Sequence, residues 1–222
     1  MPRRDRTILS SEATTDLSVF MMIRIIGFIW NGYKEYSELF QCQIHAYVLM
    51  TNHVHLLVTP QKAGGVGQLI RRFGQRFVQY INRTYRRSGT LWEGRFKSTI
   101  AGEEAYILGC YRYIELNPVR ANMVSHPAEY LWSSYRANAQ GEANDLLKPH
   151  ALYLQLGKDS RLRQTNYLGL FRYHLGSGLV DEIRQATNGN YVLRTGSFSR
   201  DIEAALGRRA SRGKSGRPRK EQ

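Results

Sequence analysis

The sequence predicts an α+β fold in which an antiparallel sheet carries helices on one face. Two runs of alternating apolar residues, 43–50 and 54–59, flank the short turn Thr51-Asn52, and such alternation is typical of half-buried strands. A helix, a strand and a second helix follow in that order. Strands joined by a tight turn pair antiparallel, and the helical connections then cross a face of the sheet.

Loop and terminator residues set the bounds of the elements that follow the hairpin. These elements are a loop over 64–67, a helix over 68–87, a strand over 96–100 and a helix over 103–116. Ser88-Gly89 stops the first helix. Asn117-Pro118 ends the second, because proline disfavours helical backbone in the residue before it.

Two histidines stand one residue apart in the second strand, in TNHVHLLV. His53 and His55 therefore point to the same face of the sheet. Tyr113 and Asn117 are four residues apart in the later helix, a spacing that stacks two side chains on one helix face. Two imidazoles and an amide oxygen suit a divalent cation, and a phenolate beside that cation suits attack on a phosphate. The alternative is structural: hydrogen-bonded strand histidines and a core tyrosine.

Several motifs in order resemble the REP-associated tyrosine transposases, single-strand DNA transposases of the HUH superfamily. They are HAYVLMTNHVHLLVTP, TLWEGRFK, YRYIELNPVRANMV and WSSYRAN, and they cover about residues 43–138. The resemblance implies a ferredoxin-like sheet, a bound Mg²⁺ or Mn²⁺, and single-stranded or hairpin DNA as substrate. It also implies cleavage and rejoining through a 5′-phosphotyrosine link.

Position by position, the resemblance assigns the metal to His53 and His55 and the nucleophile to Tyr113. Asn117 falls where related enzymes place a third polar ligand, whose residue type varies among them. Tyr106 and Tyr111 are the rival nucleophiles. Tyr111 is two residues from Tyr113 and so faces away on a helix, whereas Tyr106 lies two turns earlier, too far to share a metal with Asn117.

The charge of the chain indicates a polyanionic partner. It has 32 Lys and Arg against 18 Asp and Glu, a net charge of +14 and a pI near 10.0, which attracts polyanions at long range. Basic and aromatic residues alternate along the 68–87 helix, and its cationic face is predicted to follow a phosphate backbone. The alternative is an ordinary amphipathic helix with a solvated basic side. The predicted DNA-binding residues are Arg71, Arg72, Arg76, Arg83, Arg86, Arg87, Arg95, Lys97, Arg217 and Arg219.

The length of 222 residues suits one catalytic domain with an appendage. We predict a catalytic domain over 1–138, a helical accessory region over 139–206 that includes helices at 179–187 and 198–206, and a disordered basic tail over 207–222. The tail contains GRPRK, which resembles the core of an AT-hook; a nonspecific basic tail is the alternative. We expect a monomer or a homodimer.

The cysteine content and the apolar segments indicate the compartment. Cys42 and Cys110 lack metal-ligand spacing and no secretion signal precedes them, which favours a reducing cytoplasm and association with the nucleoid. The run VFMMIRIIGFIW contains Arg24 and is too short to span a bilayer. No Gly-rich phosphate-binding loop of the ATPase type is present, so no nucleotide cofactor is expected.

Residues 11–34 depart from the resemblance. Relatives open much as MPRRDRTI does, then continue with a strand ending in a QRGNN-like motif and a helix rich in D-x-x-x-Y. Here SEATTDLSVFMMIRIIGFIWNGYK has neither a clean strand pattern nor a clean helical one. Codons permitted for it, read from the third base, can spell RGNNRSVCFYDDKDYRIYLEWLQ. We therefore predict two compensating frameshifts or sequencing errors, with a divergent amino terminus as the alternative; the nucleotide sequence of the gene decides.

Such a shift would replace the first strand and first helix, leave backbone groups unpaired and leave a core face unfilled. The resemblance would also place DNA contacts in the lost segment. It therefore indicates the evolutionary family of this chain more firmly than the activity of this chain. A non-catalytic DNA-binding protein derived from a transposase is therefore one alternative function. A metal-dependent hydrolase without a covalent step is another.

Overall fold

The computed structural model describes residues 7–12, 19–92, 94–101, 104–172 and 175–193. Its strands are β1 (Thr7–Glu12), β2 (Cys42–Leu49), β3 (His53–Pro60), β4 (Lys97–Ala101) and β5 (Val192–Leu193). Its helices are α1 (Val19–Leu39), α2 (Gly65–Thr84), α3 (Glu104–Glu115), α4 (Asn117–Arg120), α5 (Tyr135–Gln140), α6 (Ala151–Leu154), α7 (Ser160–Phe171) and α8 (Ser177–Gly189), with a 3-10 turn at Pro127–Glu129.

The strands form one sheet in the order β2-β3-β1-β4-β5. Strand β1 pairs antiparallel with β3 on one side and with β4 on the other, and β5 adds to β4 in parallel. The chain order β1-α1-β2-β3-α2-β4 is that of a ferredoxin-like unit. The predicted α+β, ferredoxin-like fold is confirmed.

Helices α1 and α2 lie together on one face of the sheet. Their buried side chains join those of β2 and β3 in an apolar cluster that includes Ile25, Ile29, Leu56, Phe73 and Phe77. The two helices approach closely at Gly32, where a Cβ would lie 2.4 Å from a ring carbon of Phe73. This side of the fold therefore depends on apolar packing. The expected arrangement of helices on one face holds for α1 and α2 only, because α3 lies on the other face.

The other face of the sheet is covered by α3 and the carboxyl-terminal helices. Ala46, Val48 and Leu57 of the sheet share a second cluster with α3, α5, α6, α7 and α8. Helix α8 approaches α3 at Gly109, where a Cβ would lie 2.9 Å from Leu179. The predicted carboxyl-terminal helical region is thus present as far as residue 193 and packs on α3, while the predicted 198–206 helix and the 207–222 tail lie outside the described residues.

The expectation that residues 11–34 fail to supply the first strand and helix is wrong. Strand β1 is central in the sheet, and Ile25, Ile26, Ile29 and Tyr33 of α1 are buried. The helical spacing of these four residues supplies an apolar face, and backbone pairing in β1 does not depend on a particular motif. The proposed frameshifts in the gene stay a prediction.

The later elements begin and end within a few residues of their predicted bounds. Helix α2 is displaced toward the amino terminus by three residues relative to the predicted 68–87, and β2, β3, β4 and α3 differ less. In the described part of the chain, no helix has the length and apolar character needed to cross a membrane.

Candidate active site

The two histidines of β3 lie on the sheet face that α3 covers. They alternate with Val54 and Leu56, which pack on the α1–α2 side. The rings of His53 and His55 are 4.8 Å apart between centroids, at 77°. His55 is buried and His53 is half-buried, so His53 is the more accessible of the two to solvent and ligands.

Hydrogen bonds orient the ring of His53. Its Nδ1 lies 2.7 Å from Oδ1 of Asn52, and its Nε2 lies 3.4 Å from Nδ2 of Asn117. An amide oxygen can only accept, so Nδ1 carries the proton and Nε2 keeps its lone pair. Rotation of the Asn117 amide by half a turn would present its oxygen beside that lone pair.

Tyr113 packs directly against this histidine pair. Its ring centroid lies 5.8 Å from that of His55, at 72°, and the residue is 7% exposed. Helix α3 ends at Glu115, and Asn117 starts the next turn, α4. The structure therefore brings His53, His55, Tyr113 and Asn117 together, from segments about sixty residues apart in the sequence.

Arg120 belongs to this site and was missed by the sequence reasoning. Its guanidinium carbon lies 4.4 Å from the centroid of the Tyr113 ring, and its Nη2 donates to the Tyr113 carbonyl at 2.6 Å. Its Nη1 is buried without an acceptor among the described residues. The pKa of Arg120 is lowered, chiefly by burial. The charge interaction with Tyr113 raises this pKa and the positive charge of Arg184 lowers it. The spacing of Tyr113, Asn117 and Arg120, four and then three residues, is the signal that indicates a shared helix face.

The rival tyrosines lie elsewhere. Tyr111 is fully buried, accepts a hydrogen bond from the Nα–H of His150 at 3.4 Å and stacks on Tyr153. Burial raises the pKa of Tyr111. Tyr106 packs at the edge of the α3-side cluster, about 10 Å along the helix from Tyr113.

A buried carboxyl lies behind the site on the same helix. Glu115 is completely buried and accepts hydrogen bonds from Ser134 at 2.6 Å, Asn138 at 2.8 Å and Tyr167 at 2.6 Å. Burial raises the pKa of Glu115 to about 7, against the lowering effect of these hydrogen bonds. Glu115 thus ties α3 to α5 and α7. Its partners are distant in sequence, so no local pattern identifies it.

The predicted DNA-binding residues divide into groups in the structure. Arg71, Arg95 and Lys97 line a cavity beside α2, whereas Arg76 pairs with Glu35 of α1 at 2.5 Å. The cation of Arg76 also lies over the rings of Phe28 and Tyr36, so this arginine links α1 to α2. The exposed remainder is Arg72, Arg83, Arg86 and Arg87. Arg217 and Arg219 lie outside the described residues.

The side chains available for a cation are two imidazoles and one amide. No cluster of three or more His, Cys, Asp or Glu residues suited to a metal occurs in the described ranges. The donors at this site are instead His53, His55 and the Asn117 amide, a set of nitrogen and neutral oxygen ligands. Such a set fits a divalent cation with positions left for phosphate oxygens.

Comparison with known proteins identifies one family and several solved structures that are similar to this chain. The family described as IS200-like transposases matches residues 22–117, which include all four residues predicted at the site. No curated protein is significantly similar to the chain. Eight chains of solved structures match. One is a REP-associated tyrosine transposase bound to a REP hairpin, 14% identical, with a TM-score of 0.54 over 66% of this chain and 86% of that chain.

That structural similarity shows a shared fold, and the family match runs from the first turn of α1 to the first residue of α4. Residues 22–117 are therefore similar to the IS200-like transposase family, in agreement with the suspected relationship to REP-associated tyrosine transposases.

Proposed function

We propose that this chain is a metal-dependent transposase and endonuclease that cleaves and rejoins single-stranded DNA beside a hairpin through a 5′-phosphotyrosine link. The observation that carries the proposal is the packing of Tyr113 on His55, 5.8 Å between ring centroids, with Asn117 beside His53. A purely structural role would explain each residue singly. It would not explain why all four, with Arg120, lie together.

The residues that would hold the cation are His53, His55 and Asn117. A divalent cation, Mg²⁺ or Mn²⁺, would withdraw charge from the phosphate and favour an anionic phenol oxygen. The Asn52 hydrogen bond fixes which nitrogen of His53 faces the site, as outer partners of ligating histidines commonly do.

Tyr113 is the proposed nucleophile. Its phenol oxygen loses its proton to solvent and bonds to phosphorus, and the bond from phosphorus to the 3′ oxygen breaks. The 3′ oxygen takes up a proton and leaves as a hydroxyl, while the 5′ phosphate stays on the tyrosine. The ester bond is exchanged rather than hydrolysed, so the 3′-OH of a strand can later attack the link and rejoin DNA without ATP.

Arg120 positions Tyr113 in this proposal. Its guanidinium holds the ring by a cation–π contact and holds the backbone by the hydrogen bond to the carbonyl. The remaining donor, Nη1, suits an oxygen of the bound phosphate.

Hairpin-associated DNA is the proposed substrate. The structural neighbour is a transposase bound to a REP hairpin, and this chain carries a net charge of +14. A basic surface with half-buried aromatic rings suits unstacked bases and their backbone.

The test incubates the chain with labelled single-stranded hairpin DNA and Mn²⁺ or Mg²⁺, followed by a denaturing gel that detects protein joined to DNA. The proposal predicts a covalent adduct and a fragment ending in 3′-OH, both lost in EDTA. DNA binding without adduct in either metal would favour the non-catalytic DNA-binding protein. Cleavage without adduct, undiminished in Tyr113→Phe, would favour a metal-dependent hydrolase.

A further inference from the structure

A cavity of about 770 Å³ opens between α2 and the described residues of the segment that leads into β4, 90–92 and 94–97. Its apolar lining, including Phe73, Trp92 and Phe96, belongs to the cluster on the α1–α2 side of the sheet. Tyr113 and the histidine pair belong to the opposite face. The cavity is therefore separate from the candidate active site.

Aromatic side chains form one wall of the cavity. Trp92 is half-buried, its indole N–H donates to the Gly74 carbonyl at 3.4 Å, and its ring lies 5.5 Å from that of Phe77. A Cβ at Gly74 would lie 3.4 Å from the indole nitrogen, so this glycine leaves room for the ring beside α2. Trp92 is held at the wall, and Phe96, also half-buried, lies near it in the lining.

The rim of the cavity is cationic. Arg71 and Arg95 are exposed and Lys97 adds a third positive charge, while the described lining contains no carboxylate. Gln75 and Gln79 supply amide donors and acceptors. An uncharged apolar ligand would leave these cations without an anionic partner. A simple phosphate would leave the aromatic wall without a stacking partner.

We propose that this cavity takes an unpaired nucleobase of single-stranded DNA, with the phosphates on either side of it at Arg71 and Arg95. Stacking on aromatic side chains together with a positively charged path for the backbone is the general mode of single-strand binding. The inference rests on the proposed function for its substrate class. It adds a second anchoring point for the strand, on the side of the sheet away from Tyr113.

Gly67 gives a way to fill the cavity without removing a contact. It lines the cavity from the first turn of α2, and a Cβ there would meet nothing within 4 Å. Gly67→Leu therefore introduces a side chain into open space and favours the helix. Gly169→Leu is the matched control, since Gly169 also lies in a helix with nothing within 4 Å of its Cβ and belongs to α7.

Binding is measured in EDTA by fluorescence anisotropy in a Tyr113→Phe background, so that no cleavage occurs. The probes are a labelled single-stranded oligonucleotide without a hairpin and a matched strand with abasic sites. Gly67→Leu should weaken binding of the base-bearing strand by about five- to tenfold and leave the abasic strand almost unchanged, because stacking on the aromatic wall is lost. Gly169→Leu should bind both strands as the parent does.

An unchanged affinity of Gly67→Leu for the base-bearing strand, or an equal loss for both strands, would overturn the inference. Arg71→Gln supplies a second test, with Arg72→Gln as its control, because both arginines are exposed on α2 and only Arg71 lines the cavity. Arg71→Gln should reduce the affinity and the salt dependence of binding more than Arg72→Gln does; equal effects would count against the cavity.

These results are independent of catalysis. An adduct formed by the Tyr113-containing parent, combined with no effect of Gly67→Leu on binding, would sink the cavity inference and leave the proposed function intact. Loss of base-dependent binding in Gly67→Leu, with no adduct in the parent, would support the cavity inference and contradict the proposed function.

Discussion

The two faces of the sheet are built from different kinds of side chain. On the α1–α2 face, the buried cluster is almost entirely aliphatic and aromatic, and charged residues stay at its rim. On the α3 face, buried polar groups such as His55, Glu115, Ser134 and Asn138 lie within and beside the apolar packing. Burying polar groups is costly unless they are paired. Glu115 is hydrogen-bonded by Ser134 and Asn138 on this face, which also holds the proposed catalytic side chains.

This difference between the two faces suits two separate functions, chemistry on the α3 face and DNA binding at the α2 cavity. Changes on the α3 face should remove chemistry while leaving most DNA affinity, and changes at the α2 cavity should do the opposite. The following predictions test that separation, starting with the largest effect.

His53→Ala or His55→Ala should abolish cleavage and adduct formation, because each removes one of the two imidazoles proposed to hold the metal. DNA affinity should stay close to that of the parent, since phosphate contacts from Lys and Arg supply most of it. Adduct gels and anisotropy measure the two effects. His126→Ala, at an exposed turn, is the control, and full activity of a His53→Ala and His55→Ala double variant would remove the metal-site proposal.

Glu115 should make the stability of the metal-free protein depend on pH. Burial raises its pKa from 4.5 to about 7, so the unfolded chain loses this proton at a lower pH than the folded chain does. The free energy of unfolding should therefore fall as pH rises from about 4.5 to 7, by roughly 3 kcal/mol from this group.

Glu115→Gln imitates the protonated form and should not show that fall. Denaturant titrations of both proteins in EDTA, at several pH values, give the comparison. Parallel curves for the parent and Glu115→Gln across this range would show that Glu115 has an ordinary pKa.

Arg120→Gln should slow adduct formation by about tenfold, the effect of losing roughly 1.4 kcal/mol of stabilisation around the tyrosine. Arg120→Lys keeps the charge without the planar fork and should lie between the parent and Arg120→Gln. Single-turnover kinetics measure the rates. Arg112→Gln is the control, because Arg112 also lies over an aromatic ring, that of Phe171; an equal slowing there would make the effect merely structural.

Asn117→Ala should have the smallest effect on chemistry, because water replaces one neutral oxygen ligand more readily than an imidazole. The expected change is a higher Mn²⁺ concentration needed for half-maximal adduct, with activity recovered at saturation. A variant as inactive as His53→Ala at every Mn²⁺ concentration would show that Asn117 does more than bind metal.

The sequence predicted the fold well where its apolar pattern was regular. Alternation located β2 and β3, and the 3.6-residue period with its glycine and proline stops located α2 and α3 to within a few residues. The order of the strands came from the family resemblance, since pairing between distant strands leaves no local signal. Helix α1 was missed because apolar residues surround its buried stripe of Ile25, Ile29 and Tyr33 on several sides.

The site was predictable only in part, for a similar reason. The H-x-H alternation and the spacing of Tyr113 and Asn117 indicated the four residues that the structure brings together. The spacing to Arg120 carried the same signal and was overlooked. Glu115 and the α2 cavity depend on contacts such as Glu115 with Tyr167 and Gly74 with Trp92, which join distant segments and are fixed only by the folded chain.

The most direct test of the account maps the protein–DNA adduct. The parent is trapped with hairpin DNA and Mn²⁺, digested with protease and nuclease, and analysed by peptide mass spectrometry, with Tyr113→Phe treated in parallel. The account predicts a nucleotide attached through its 5′ phosphate to Tyr113, and no adduct or cleavage in Tyr113→Phe, which still binds DNA. Attachment at Tyr106 or Tyr111, or undiminished cleavage by Tyr113→Phe, would contradict it.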